Sequence, residues 1–248
     1  MVDQLALANF SKWAYQSHNE IIKNVPTAVF YNDSRTDAQA FSVSDKEVGF
    51  CIVAFRGTES FKDVRIDLSI WPTKVDGSRV HKGFYSQWAA LKPSVMQLMH
   101  DCPQKVYVTG HSLGGAVANL AALDMARQFP SKQIFVYTFG SPRVGNMAFV
   151  NEYAKHVSSS VRVVRKSDPI PLVPPFPFYK HPECECIRYD DYDMLIPPSR
   201  WEGVFSRWGL TLCNVLGSVF GLKRRPSKHH GIDAYIKASQ RHKTFGST

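Results

Sequence analysis

Apolar positions along the chain change their spacing in a regular order, and that order predicts alternating helices and strands. Over residues 2–18, Leu5, Ala8, Phe10, Trp13 and Ala14 recur near helical spacing, which predicts an opening amphipathic helix. Short strand-forming runs follow at 27–31 and 38–43. Residues 47–55 are strongly apolar and stop at Gly57, the pattern of a buried strand. Residues 83–100 place Phe84, Trp88, Leu91, Val95 and Leu98 on one side of a helix, with a bend or break expected at Pro93. A strand at 105–109, a helix at 112–129, a strand at 133–138, a helix at 147–157 and a strand at 160–165 come next. Proline and polar residues crowd 168–198, which predicts irregular chain, and 231–241 closes as a short helix. Strands alternating with helices in this way imply an α/β fold with a mainly parallel central sheet and helices on both faces. In such sheets the reacting groups gather beyond the carboxyl ends of the strands, and Thr58, Ser112 and Asp168 each fall just past one.

Composition narrows the picture. The 248 residues are 44% hydrophobic and 12% aromatic, enough to bury a full core. No linker and no internal repeat divides them, so a single domain over 1–248 is expected. The formal net charge of +9 suits an anionic surface such as lipid headgroups, or simply a solvated basic surface. Nucleic acid is disfavoured as a partner, because no basic run is interleaved with aromatics and no binding module is recognisable. Five cysteines stand at irregular spacing; His181, Cys184 and Cys186 lack a second ligand pair, so neither metal nor cofactor is expected. Asp3, Gln4, Asn9 and Lys12 interrupt any leader-like apolar run, and no disulfide framework is evident. Together these lead to the expectation of an intracellular location.

The candidate chemistry centres on residues 106–115, Val-Tyr-Val-Thr-Gly-His-Ser-Leu-Gly-Gly. An apolar strand runs into G-x-S-x-G and then a helix, which is a nucleophile elbow displaying the Oγ of Ser112. A serine hydroxyl needs a base, and the base needs an orienting carboxylate, in the chain order Ser, acid, His. Asp168 follows a strand directly and is stiffened by Pro169-Ile170-Pro171, whereas Asp190, Asp191 and Asp193 lie in a tyrosine-rich acidic stretch. Of the histidines beyond it, His229 and His230 directly precede the last helix, while His181 and His242 are less well placed. His111, inside the elbow, reads as a packing and hydrogen-bonding residue. The tetrahedral intermediate needs two donors: the backbone N–H of Leu113, and a second from the loop Arg56-Gly57-Thr58, where Thr58 offers N–H and hydroxyl.

Six ordered stretches between about residues 50 and 236 resemble the class 3 lipases, the fungal-type triacylglycerol lipases. Phe55-Arg56-Gly57-Thr58 is similar to the family's oxyanion motif, and Val80-His81-Lys82-Gly83-Phe84 to its V-H-x-G-F element. Residues 109–115 resemble its elbow, 137–146 its T-F-G-x-P-R-V-G-N segment, and Asp168-Pro169-Ile170-Pro171 the motif that carries the acid. His230-Gly231-Ile232-Asp233-Ala234-Tyr235 is similar to the family's H-x-x-x-x-Y close. The resemblance implies an α/β-hydrolase fold, a Ser112–Asp168–His230 triad, and Thr58 with Leu113 as oxyanion donors. It further implies a serine ester hydrolase acting on acylglycerols or glycerophospholipids at a lipid surface, and a lid over residues 59–72. A soluble esterase on small esters is the alternative within the enzyme class, and a non-catalytic lipid-binding module the alternative outside it.

Residues 201–228 depart from the secreted members. Trp201, Phe205, Trp208, Leu212, Leu216 and Phe220 are followed by Lys223-Arg224-Arg225 and Lys228. The apolar core from Trp208 to Leu222 is 15 residues, short of the ~20 that a spanning helix needs. Two readings stand: a segment lying in the membrane interface with its cations on anionic phosphates, or a helix buried against the sheet.

Overall fold

A computed structural model describes residues 2–58, 71–157, 159–197 and 230–245. Helix α1 (Gln4–Trp13) starts where Asp3 accepts the Ala6 N–H at 2.8 Å. The helix expected over 2–18 is α1, which ends at Trp13; a second helix that was not expected, α2 (His18–Asn24), starts at the reciprocal capping box of Ser17 and Glu20. Strands β1 (Val29–Asp33), β2 (Ala38–Asp45) and β3 (Phe50–Phe55) pair antiparallel. A separate hairpin, β4 (Pro72–Val75) with β5 (Ser78–His81), leads into α3 (Lys82–Asp101). Then β6 (Lys105–His111), α4 (Leu113–Gln128), β7 (Gln133–Phe139), α5 (Met147–His156) and β8 (Ser159–Arg165) alternate. A short 3-10 turn (Ile170–Leu172), β9 (Glu185–Tyr189) and α6 (Ile232–Phe245) follow.

The main sheet has seven strands in the order β1-β2-β3-β6-β7-β8-β9, parallel from β3 onward. Alternation along each strand sends side chains to two separate cores. Val106 and Val108 of β6 face α3, α4 and α5 in one cluster with Phe84, Trp88, Val117, Phe149 and Tyr153. Tyr107, between them, faces the other side with Leu7 of α1 and Tyr235 and Ile236 of α6. The sheet is therefore covered on both faces, as the pattern of apolar positions required.

Helix α3 runs unbroken through Pro93. Pro93 and the residue one turn before it, Ala89, are both exposed, so the carbonyl freed by the missing N–H meets water. On the inner side Phe84, Trp88, Leu91 and Val95 are buried, and the Trp88 indole N–H donates to Asp124 of α4 at 2.7 Å. Strand β9 was not anticipated within 168–198. Its sequence, Glu-Cys-Ile-Arg-Tyr, mixes charged and apolar residues because it is the sheet's edge and only half-buried.

Candidate active site

β6 lies in the middle of the sheet and ends at His111, and α4 begins only two residues later. Ser112 makes the connection alone, at φ 56° and ψ −129°, a conformation that L-residues hold only when the surroundings enforce it. Its N–H donates to the Phe139 carbonyl of β7 at 2.9 Å. Two glycines leave room for the turn. A Cβ on Gly110 would lie 2.4 Å from the Gly114 carbonyl carbon, and one on Gly114 would lie 2.3 Å from the Phe55 oxygen. The same closeness seats the first turn of α4 on the end of β3, directly beside the Arg56-Gly57-Thr58 loop. Leu113 opens α4, so its N–H belongs to the turn whose donors have no intrahelical acceptor.

Asp168 follows β8 and is 3% exposed. Its Oδ1 accepts the Ile170 N–H at 2.9 Å, and its Oδ2 stands 2.8 Å from Nδ1 of His230. The opposite ring nitrogen, Nε2, is 2.9 Å from Ser112 Oγ. With Nδ1–H donating to the carboxylate, Nε2 keeps a lone pair facing the serine hydroxyl, the arrangement a general base requires. Ser112 and His230 are 1% and 6% exposed, so all three groups meet in a site from which water is largely excluded.

Tyr235, one turn into α6, donates its hydroxyl to the same Asp168 Oδ2 at 2.5 Å. Burial first, and the Asp168 charge second, hold its pKa well above the ordinary 10.0, so it remains a donor. No role was read for this tyrosine from the sequence, although it closes the H-x-x-x-x-Y stretch. The alternative acids are all engaged elsewhere. Asp193 pairs with Arg165 at 2.5 Å, Asp191 accepts from Ser167 at 2.7 Å, and Asp190 accepts the Tyr192 N–H at 2.8 Å. His181 donates Nε2–H to the Pro171 carbonyl at 2.8 Å, away from Ser112. Among the described residues no cluster of three or more His, Cys, Asp or Glu side chains is arranged to hold a metal ion. His229, most of the expected lid at 59–72, and the segment 201–228 lie outside the described residues.

Residues 52–178 match the protein family described as Lipase (class 3). A lipase of Rhizomucor miehei is 37% identical over 137 residues, 51% of this chain and 38% of that protein. The "Secreted mono- and diacylglycerol lipase 1" of Fusarium solani is 34% identical over 158 residues, 60% of this chain and 46% of its own. The chain thus spans less than half the length of these two relatives. The crystal structure of a lipase from Rhizopus microsporus var. chinensis superposes with a TM-score of 0.64 at 30% identity, covering 76% of this chain and 73% of that one. This likeness establishes the α/β-hydrolase fold. The expected intracellular location is corrected by the Fusarium relative, which is named as secreted and points outside the cell. Cys51 and Cys102 are buried thiols that packing shields in either compartment, so the lack of an evident disulfide framework does not decide the location.

Proposed function

Because this chain belongs to the class 3 lipase family, we propose that it is a secreted serine carboxylic-ester hydrolase that cleaves acyl esters of acylglycerols or glycerophospholipids. The observation that carries this reading is His230, whose ring spans Ser112 Oγ and Asp168 Oδ2 at 2.9 and 2.8 Å. His230 takes the Ser112 proton as Oγ attacks the ester carbonyl, and Asp168 stabilises the imidazolium that results. The Leu113 N–H and Thr58 hold the oxyanion. His230 then protonates the departing alcohol, leaving an acyl-serine. Water, activated by the same ring, releases the fatty acid and restores the hydroxyl. No step calls for a metal or cofactor.

The name of the Fusarium relative favours acylglycerols, and the net charge of +9 favours an anionic lipid surface. Fatty-acid release from a triacylglycerol emulsion and from anionic phospholipid vesicles, with Ser112→Ala as blank, separates the two. Release from the emulsion alone assigns a neutral-lipid lipase, whereas release from vesicles assigns a phospholipase or mixed acyl hydrolase. Turnover confined to short dissolved esters would instead assign a soluble esterase. Ser112-independent release, or none from any ester, would defeat the reading.

A further inference from the structure

His111 stands one residue before the nucleophile, and the acid, base and oxyanion roles leave it unassigned. It is buried, and both ring nitrogens are engaged. Nε2 is 2.6 Å from the main-chain carbonyl oxygen of His230, and Nδ1 is 2.9 Å from the Tyr15 hydroxyl. A carbonyl oxygen can only accept, so Nε2 carries the hydrogen, and Tyr15 donates its O–H to the lone pair left on Nδ1. Burial, and then the neighbouring His230, hold the His111 pKa well below the ordinary 6.5, so the ring stays neutral.

Tyr15 lies just beyond α1, and its hydroxyl also packs against the loop that carries Thr58. A Cβ on Gly57 would come within 2.2 Å of it, and within 2.6 Å of the His111 carbonyl oxygen. His230 is 6% exposed and stands directly before α6, whose first turn is tied back by the Ala234 N–H donating to the Gly231 carbonyl at 3.0 Å. To act as base between Ser112 and Asp168, its ring must be placed to within a fraction of an ångström.

We propose that Tyr15 and His111 are positioning residues for the base: the His111 Nε2–H holds the His230 carbonyl so that the ring spans Ser112 and Asp168, and the Tyr15 hydroxyl fixes the tautomer that makes this possible. The inference rests on the serine-hydrolase reading for its kinetic consequence, but the hydrogen bond it describes exists independently of turnover. A neutral His111 also serves the reaction directly. Its ring centroid is 4.7 Å from that of His230, and a second cation there would oppose the imidazolium formed as Ser112 loses its proton.

The test uses two amides of different reach. In His111→Gln the side-chain N–H falls near the position of Nε2–H; in His111→Asn it falls near Nδ1 and stops short of the His230 carbonyl. Ser112-dependent ester hydrolysis should keep kcat within about threefold of the original in H111Q. In H111N kcat should fall about 10- to 100-fold with KM unchanged, the usual scale for a displaced reacting group. Tyr15→Phe should lower kcat by an intermediate factor, and it carries the test should H111N fail to fold. Equal losses in H111Q and H111N, or no loss in H111N and Y15F, would overturn the proposal. A second readout is the downfield proton NMR signal of His230 Nδ1–H, which reports the Asp168 hydrogen bond without catalysis. It should persist in H111Q and broaden or vanish in H111N. A protein that shows this pattern but hydrolyses no ester would sink the proposed function and leave the positioning role standing. An identical signal in all variants would do the reverse.

Discussion

The Tyr235 hydroxyl and the His230 ring share one carboxylate oxygen: Oδ2 of Asp168 receives the first at 2.5 Å and faces Nδ1 of the second at 2.8 Å. With Oδ1 taken by the Ile170 N–H at 2.9 Å, the carboxylate is fixed in plane and orientation from three directions. Removing one donor leaves a buried anion short of a partner, which costs about 1.5–3 kcal/mol when the acceptor is charged. Tyr235→Phe should therefore lower stability by about that amount in urea titration. It should lower kcat by roughly tenfold with little effect on KM, as a general-base pair loses part of its alignment. Unchanged kcat in a destabilised protein would make Tyr235 a purely structural residue.

Thr58→Val keeps the shape and the backbone N–H of the residue but deletes its hydroxyl. If that hydroxyl is one of the oxyanion donors, kcat should fall by a factor on the order of 10² to 10³. Thermal stability should hardly move, because Thr58 is only half-buried. Wild-type turnover in this variant would leave the backbone N–H groups as the whole anion hole.

Gly114 supplies a harsher test of the elbow. A Cβ there would lie 2.3 Å from the Phe55 oxygen and 2.8 Å from the Arg56 carbonyl carbon, both main-chain atoms that cannot swing aside. Gly114→Ala should push α4 away from β3 and separate the Leu113 N–H from Thr58. Overpacking of this kind costs about 1–3 kcal/mol, so the protein should still fold. Labelling of Ser112 by a fluorophosphonate should nevertheless slow at least 100-fold, the scale of losing one oxyanion donor. Labelling at the original rate would show that the two segments do not have to touch.

The features legible in the sequence were those with local signatures. The elbow needs two glycines at fixed offsets from a serine, so Gly110, Ser112 and Gly114 announce it, and the proposed acid, Asp168, follows a strand before a proline-stiffened turn. What was not legible depends on contacts far apart in the chain. Tyr15 and His111 are 96 residues apart and His111 and His230 are 119 apart, and neither pairing leaves a local pattern. The short α2 was readable in principle, since Ser17 and Glu20 have capping-box spacing, but its seven residues bury only Ile21 and so leave no apolar periodicity. Helix α3 ignores Pro93 because a buried stripe of aromatic and aliphatic residues outweighs one lost hydrogen bond at an exposed position. Strand β9 stayed hidden because an edge strand does not need apolar alternation to pair.

The buried, neutral state of His111 also fixes how stability responds to acid. The side chains facing it are Tyr15, whose O–H donates to Nδ1, His230 with Asp168 behind it, and Tyr235, whose ring centroid is 5.9 Å away. In the unfolded chain His111 titrates near 6.5, whereas in the native state burial and His230 hold it well below that value. Above pH 6.5 both states are neutral at this residue, and it contributes no pH dependence. Below 6.5 the unfolded chain binds a proton that the native ring refuses, so stability falls as pH drops. The slope approaches about 1.4 kcal/mol per pH unit for one proton. His111→Gln removes that proton while leaving every other titrating group in place, so the difference between the two proteins isolates it. Urea midpoints at pH 7.5 should change little between original and variant beyond a constant offset, and by pH 5.5 the original should have lost up to about 1.4 kcal/mol more. Parallel curves across this interval would mean that His111 takes up a proton in the folded protein, and that the ring beside the base is not held neutral.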